Sequence, residues 1–161
     1  MTNELVKMFE ENRLDDFLKA AEQLSRNFES KEIVKRGLLD QVNAEGDVVD
    51  LRLRRIAVDV MCLLGLAQSV DVRRELLRVF RRQFDELRLA ELAALEAQSR
   101  AYRCRKPNPD MEFLQCLLRA LLRVPDEESV GVALNVARIF ANTKFGCRLA
   151  RRISEIGDGN K

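Results

Sequence analysis

The chain has no histidine and no tryptophan among its 161 residues, and a single tyrosine. Without imidazole, serine–histidine and cysteine–histidine nucleophiles and histidine metal sites are excluded. No GxGxxG or GxxxxGK stretch occurs, so a glycine loop that cradles phosphates is missing as well. Three prolines, seven glycines and almost no alternation of β-branched with polar residues argue against a sheet. The four cysteines, Cys62, Cys104, Cys116 and Cys147, form no CxxC pair. A zinc site would need these scattered thiolates to converge, so they are read as reduced structural thiols of an intracellular protein. The longest nearly apolar run, residues 56–67, is too short to span a bilayer, and no membrane association is expected. The start MTNELVKMFEEN lacks a basic region followed by an apolar core, so no secretory signal is expected and the cytoplasm or nucleus is the expected location. No enzyme chemistry and no cofactor are expected.

What is present is the composition of a folded domain: 47% hydrophobic residues with 34% charged ones. A chain of this length can bury a core as one domain, taken here as residues 1–156 with a flexible tail at 157–161. The core must come from Leu, Val, Ala and the eight phenylalanines. The formal charge of +2 hides an asymmetry. Residues 1–50 hold seven Lys or Arg against twelve Asp or Glu, net −5, and residues 51–161 hold 21 against 14, net +7. Of the 28 basic residues 21 are arginine, the side chain suited to bidentate contact with carboxylates and phosphates.

Apolar residues at three- and four-residue spacing predict helices throughout. A short first helix carries Leu5, Val6, Met8 and Phe9. A second runs from Leu14 through Phe17, Ala21 and Leu24 to Phe28, and Ser30 is expected to cap a third. Asp47 then caps a central helix over residues 48–67. Its second half is apolar except for Asp59, which predicts burial on every side. Residues 70–103 hold no Gly or Pro, but the stripe Leu77, Phe80, Phe84, Leu87 gives way to Leu89, Leu92, Ala93, Leu95. That phase slip favours two helices hinged near residues 85–88, or a bend there, over one long helix. Asp110 is expected to cap residues 111–123, Asp126 the next helix, and a last helix covers about residues 143–156. The pairs Glu10/Glu11, Asp15/Asp16 and Glu127/Glu128 lie near helix ends, where dipole compensation accounts for them.

Helix starts near Leu14, Leu51, Leu89 and Glu127 recur at 37 or 38 residues. Within the central helix, Asp50, Leu53, Arg54, Ala57, Met61 and Leu64 fall at offsets that resemble the second helix of HEAT repeats. The resemblance implies that Asp50 and Arg54 form a structural pair between neighbouring repeats, with Ala57 allowing close helix approach. It implies an all-α fold, a short HEAT-like or armadillo-like solenoid of about four helical pairs plus a C-terminal helix. An irregular multi-helix bundle is the alternative.

Arginines mark the candidate partner surface: Arg73, Arg74, Arg78, Arg81, Arg82 and Arg88 in the fifth and sixth helices, and Arg148, Arg151 and Arg152 in the last. A protein partner is expected, with self-association through a solenoid end as a further expectation. Nucleic-acid backbone binding along these arginines is the alternative. Base stacking is not expected, because Tyr102 is the one aromatic near them besides the core phenylalanines.

Overall fold

The computed structural model describes residues 3–11, 13–24, 26–43, 51–98 and 108–159. Among these residues the regular elements are all helical, nine α-helices and one 3-10 turn. The chain divides into two compact units, residues 1–75 and 76–161.

In the first unit α1 (Asn3–Glu10) packs on α2 (Leu14–Leu24), α2 on α3 (Phe28–Asn43), and α3 on α4 (Leu51–Leu63). Phe17, Ala21, Val34, Leu38, Val42, Ala57 and Met61 are fully buried among them. Phe28 opens α3 instead of closing α2, and the Asn27 carbonyl accepts the Lys31 N–H at 2.8 Å, so Ser30 is not a cap. The four-residue step from Leu24 to Phe28 stays in phase across the turn, which hides the break from any periodicity argument.

The central helix is shorter and more open than expected. It stops at Leu63, because Gly65 turns left-handed at φ 74° and a 3-10 turn, Leu66–Gln68, follows. Ala57, Val58, Val60 and Met61 are buried, but Asp59 is exposed and Leu63 keeps 65% of its surface. One face is covered, not the whole circumference. Asp50 and Asp47 lie outside the described residues, as does Cys104. Arg54 is 4% exposed, and its Nε donates to the Val42 carbonyl at 2.9 Å, tying α4 to the end of α3. Polar contacts also join α3 to the first turns of α5 (Val70–Gln83): Lys35 to Asp71 at 2.7 Å and Asn43 Nδ2 to Glu75 at 3.1 Å.

The dividing line falls within α5. In the second unit α6 (Glu86–Gln98) begins after a break at Phe84 and Asp85, whose carboxylate accepts the Arg88 N–H at 2.8 Å. Two helices therefore occupy this stretch where the stripe slips. The slip comes early, so Leu87 leaves the stripe and is 71% exposed, while Leu89 and Leu92 are buried. Helix starts fall at residues 14, 51, 86 and 127. Next come α7 (Pro109–Leu121), α8 (Glu127–Ile139) and α9 (Lys144–Gly159), with α8 packed against α6, α7 and α9. Asn108, not Asp110, caps α7: its side chain accepts the Asp110 N–H at 3.0 Å and Pro109 takes the first helical position. Asp126 caps α8 as expected, accepting the Ser129 N–H at 2.7 Å. The last helix runs on to Gly159, three residues past Ile156. Phe80, Phe84 and Phe113 form a chain of tilted rings 5.7 and 6.1 Å apart, and Phe140 meets Phe145 edge-on at 5.2 Å.

Candidate functional site

The second unit carries a groove between α7 and α9. Its origin is visible in how each helix spends its apolar residues. Along α7, Phe113, Leu114, Leu117, Leu118 and Leu121 face inward, which leaves Gln115 and Arg119, one turn apart, on an outer edge. Along α9, Phe145, Leu149 and Ile153 turn inward at four-residue steps, which leaves Arg148, Arg151 and Arg152 outside. Gln115 and Arg119 make one wall of the groove, Arg148 and Arg152 the other. Leu118, Leu122, Phe145 and Leu149 make its floor, and the open space is about 570 Å³.

No carboxylate of the described residues pairs with Arg119, Arg148, Arg151 or Arg152. The arginines elsewhere are different. Arg81 lies 3.3 Å from Glu128, and Arg88 holds Asp110 at 2.6 Å and Glu91 at 3.3 Å, which joins α6 to the first turn of α7. Arg73 is 4% exposed, because it shares the inward side of α5 with Val72, Leu76 and Leu77. Arg74, Arg78, Arg81 and Arg82 are exposed at steps of three and four along the opposite side of that helix. The nine expected contact residues thus separate into the buried Arg73, Arg88 held by two carboxylates, an α5 stripe in which Arg81 faces Glu128, and three on α9.

Arg119 and Gln115 are functional candidates that sequence reasoning missed. Their signal was present: they interrupt an otherwise leucine-rich helix at four-residue spacing.

A second cleft in the same unit, with about 880 Å³ of open space, has the opposite character. Phe80, Phe84 and Leu89 lie at its base, and Asp85, Glu86, Glu127 and Glu128 at its rim. Glu127 and Glu128 occupy the first turn of α8, where the helix dipole favours negative charge. Among the described residues no group of three or more Cys, Asp or Glu is arranged to hold a metal ion, and no helix is long and apolar enough to cross a membrane. Cys116 is buried, Cys62 half-buried and Cys147 exposed.

Compared with known proteins, the chain matches no protein-family model, no curated protein and no solved structure.

Proposed function

We propose that this chain is a non-enzymatic interaction module, a scaffold or adaptor that binds a protein partner through a helical groove and works inside the cell, in cytoplasm or nucleus. Its helices are read as a short HEAT-like or armadillo-like stack. The observation that carries the reading is the α7–α9 groove, where three arginines with no carboxylate partner among the described residues flank an apolar floor. Arg88 and Arg81, by contrast, are held by Asp110 and Glu128. Large apolar side chains on open faces, Leu63, Val70, Leu87, Leu95 and Leu134, give further surface for contacts between copies at the ends of such a stack.

The second reading is binding to a nucleic-acid backbone, and the exposed stripe Arg74, Arg78, Arg81 and Arg82 on α5 favours it. Binding to a phosphate backbone strengthens with each cationic contact and weakens steeply with salt. Here Arg73 is buried, Arg88 is in ion pairs and Arg81 faces Glu128, which leaves a shorter track.

Cross-linking in the source cells, followed by purification of the tagged full chain, tests the first reading. A protein recovered with the wild type and depleted with R119A/R148A/R152A is the expected result. Titration with mixed-sequence RNA and DNA at about 50 and 200 mM salt tests the second. Tight binding at the lower salt, lost with R74E/R78E, would replace the first reading by the second.

A further inference from the structure

The groove's own chemistry narrows the partner. We infer that the α7–α9 groove is a clamp for an acidic amphipathic segment of a partner protein, one that presents carboxylates on both sides of an apolar ridge. This rests on the interaction-module reading and specifies what that module would bind.

Both walls carry polar side chains at a spacing of four residues, Gln115 with Arg119 on α7 and Arg148 with Arg152 on α9. Four residues of helix rise about 6 Å. Acidic residues four apart on an occupant helix repeat at that same distance, so one such pair can meet Arg148 and Arg152 together while a third carboxylate meets Arg119 across the groove. Guanidinium groups take carboxylates in a two-point contact that an ammonium cannot copy. The occupant's apolar ridge would lie along Leu118, Leu122 and Leu149. These floor residues are each less than a tenth exposed, so the floor offers a shallow seat and little area. The arginines must then carry most of the affinity, which makes the complex sensitive to salt.

Three observations favour a carboxylate-bearing protein segment over a nucleic acid. The groove offers three cationic contacts, and the electrostatic part of binding to a phosphate backbone grows with their number, so a nucleic acid would gain little here. No exposed aromatic lines it, since Phe145 is 9% exposed and packed edge-on against Phe140, so bases find no stacking partner. And the floor between the two walls is apolar, a surface a phosphodiester backbone would leave unused.

The test uses the full chain and a fluorescently labelled peptide of about 16 residues, long enough to hold a helix. It presents Glu at i and i+4 on both flanks of a leucine ridge. A control peptide has Gln for every Glu, and mixed-sequence RNA serves as competitor. Fluorescence anisotropy should show binding of the acidic peptide that weakens by about tenfold between low and moderate salt. The control peptide, or the variant R148E/R152E with the acidic peptide, should each lose about tenfold or more in affinity. R74E/R78E should bind as the wild type does, and R148K/R152K should fall between wild type and reversal. Circular dichroism melting of each variant confirms that the fold is kept. Absence of acidic-peptide binding, equal binding of the Gln peptide, or indifference to R148E/R152E would overturn the assignment. So would RNA that binds the same arginines more tightly than the peptide. Should the peptide fail while the tagged chain still recovers a protein through the groove, the acidic-segment assignment falls and the module reading stands. If no groove-dependent protein is recovered either, both fall.

Discussion

Gly146 passes so close to the Phe140 carbonyl that a Cβ built on it would lie 1.9 Å from the oxygen and 2.4 Å from the carbonyl carbon. The contact closes the joint between α8 and α9. Thr143 completes it, donating its hydroxyl proton to the Phe140 carbonyl at 2.7 Å and accepting the Gly146 N–H at 3.0 Å. Phe145, one residue away, seats its ring edge-on to Phe140. Gly146→Ala must therefore push backbone against backbone, and overpacking of this kind costs about 1–3 kcal/mol. Alanine's better helix propensity returns about 1 kcal/mol at most. A net loss of about 1–2 kcal/mol in urea unfolding is the expected outcome, and an unchanged midpoint would show that the joint opens without strain.

Gly131, inside α8, gives the opposite sign. Apart from its chain neighbours and the backbone of its own helix, nothing lies within 4 Å of a Cβ added there, and the residue is exposed at the acidic cleft. Replacing it with alanine removes backbone entropy from the unfolded chain and fills nothing. Gly131→Ala should stabilise by about 0.5–1 kcal/mol in the same unfolding measurement. A destabilised protein would mean that a side chain closes over this position in solution.

Two arginines of similar sequence surroundings should differ sharply on truncation. Arg54 is buried against the end of α3 and donates to the Val42 carbonyl. Methionine in its place keeps much of the stem and removes the donor, leaving a buried carbonyl short of a partner at a cost of about 1–3 kcal/mol. Arg74 projects from the open side of α5, and Arg74→Met should change stability by no more than about 0.5 kcal/mol. Chemical denaturation of the two variants in parallel checks both values. Equal effects would remove the distinction between a structural and a surface arginine on which the groove's candidates depend.

All-helical structure followed from apolar spacing. The start at Asp126 followed from a residue whose side chain binds the backbone of the next turn, and the break near Asp85 from the slip of the apolar stripe, while the bond from the Arg88 N–H to Asp85 was not read. Local chemistry was less decisive where two caps competed. Asn108 and Asp110 flank one proline, and Asn108 wins because Pro109 suits the first helical position and sets its neighbour in extended geometry. Burial was legible as a stripe but not as a neighbour. Arg73 and Arg74 are adjacent, and which of them turns inward depends on what packs against α5. The basic groove is further from local reach, since Arg119 and Arg148 are 29 positions apart and line one space because α7 and α9 both pack on α8. Arg148 and Arg152 were readable as a basic edge. That no acid among the described residues answers them is a property of the folded surface.

Lys35 and Asp71 offer a test of electrostatics in the first unit. Lys35, on α3, is 12% exposed and lies 2.7 Å from Asp71 and 2.8 Å from Glu32. Its hydrogen bond, with help from the Ser69 hydroxyl, pulls the Asp71 carboxyl down to about 2, against a small opposing effect of burial. Burial acts to lower the Lys35 pKa, but its hydrogen bonds to Asp71 and Glu32 outweigh this and raise it. A depressed carboxylate contributes stability above its unfolded value near 3.9 and loses it as pH falls through the folded value. The raised lysine contributes below its ordinary value and loses its share only as pH rises past it. Asp71 keeps 60% of its side-chain surface, so solvent screening limits the pair to under about 1 kcal/mol. Asp71→Asn should therefore be less stable than wild type by about 0.5–1 kcal/mol near neutral pH, with the gap narrowing from about pH 4 to pH 2. Carbon-detected NMR titration of the carboxyl reads the folded value directly, and a midpoint at the ordinary 3.8 would show that Lys35 does not hold it.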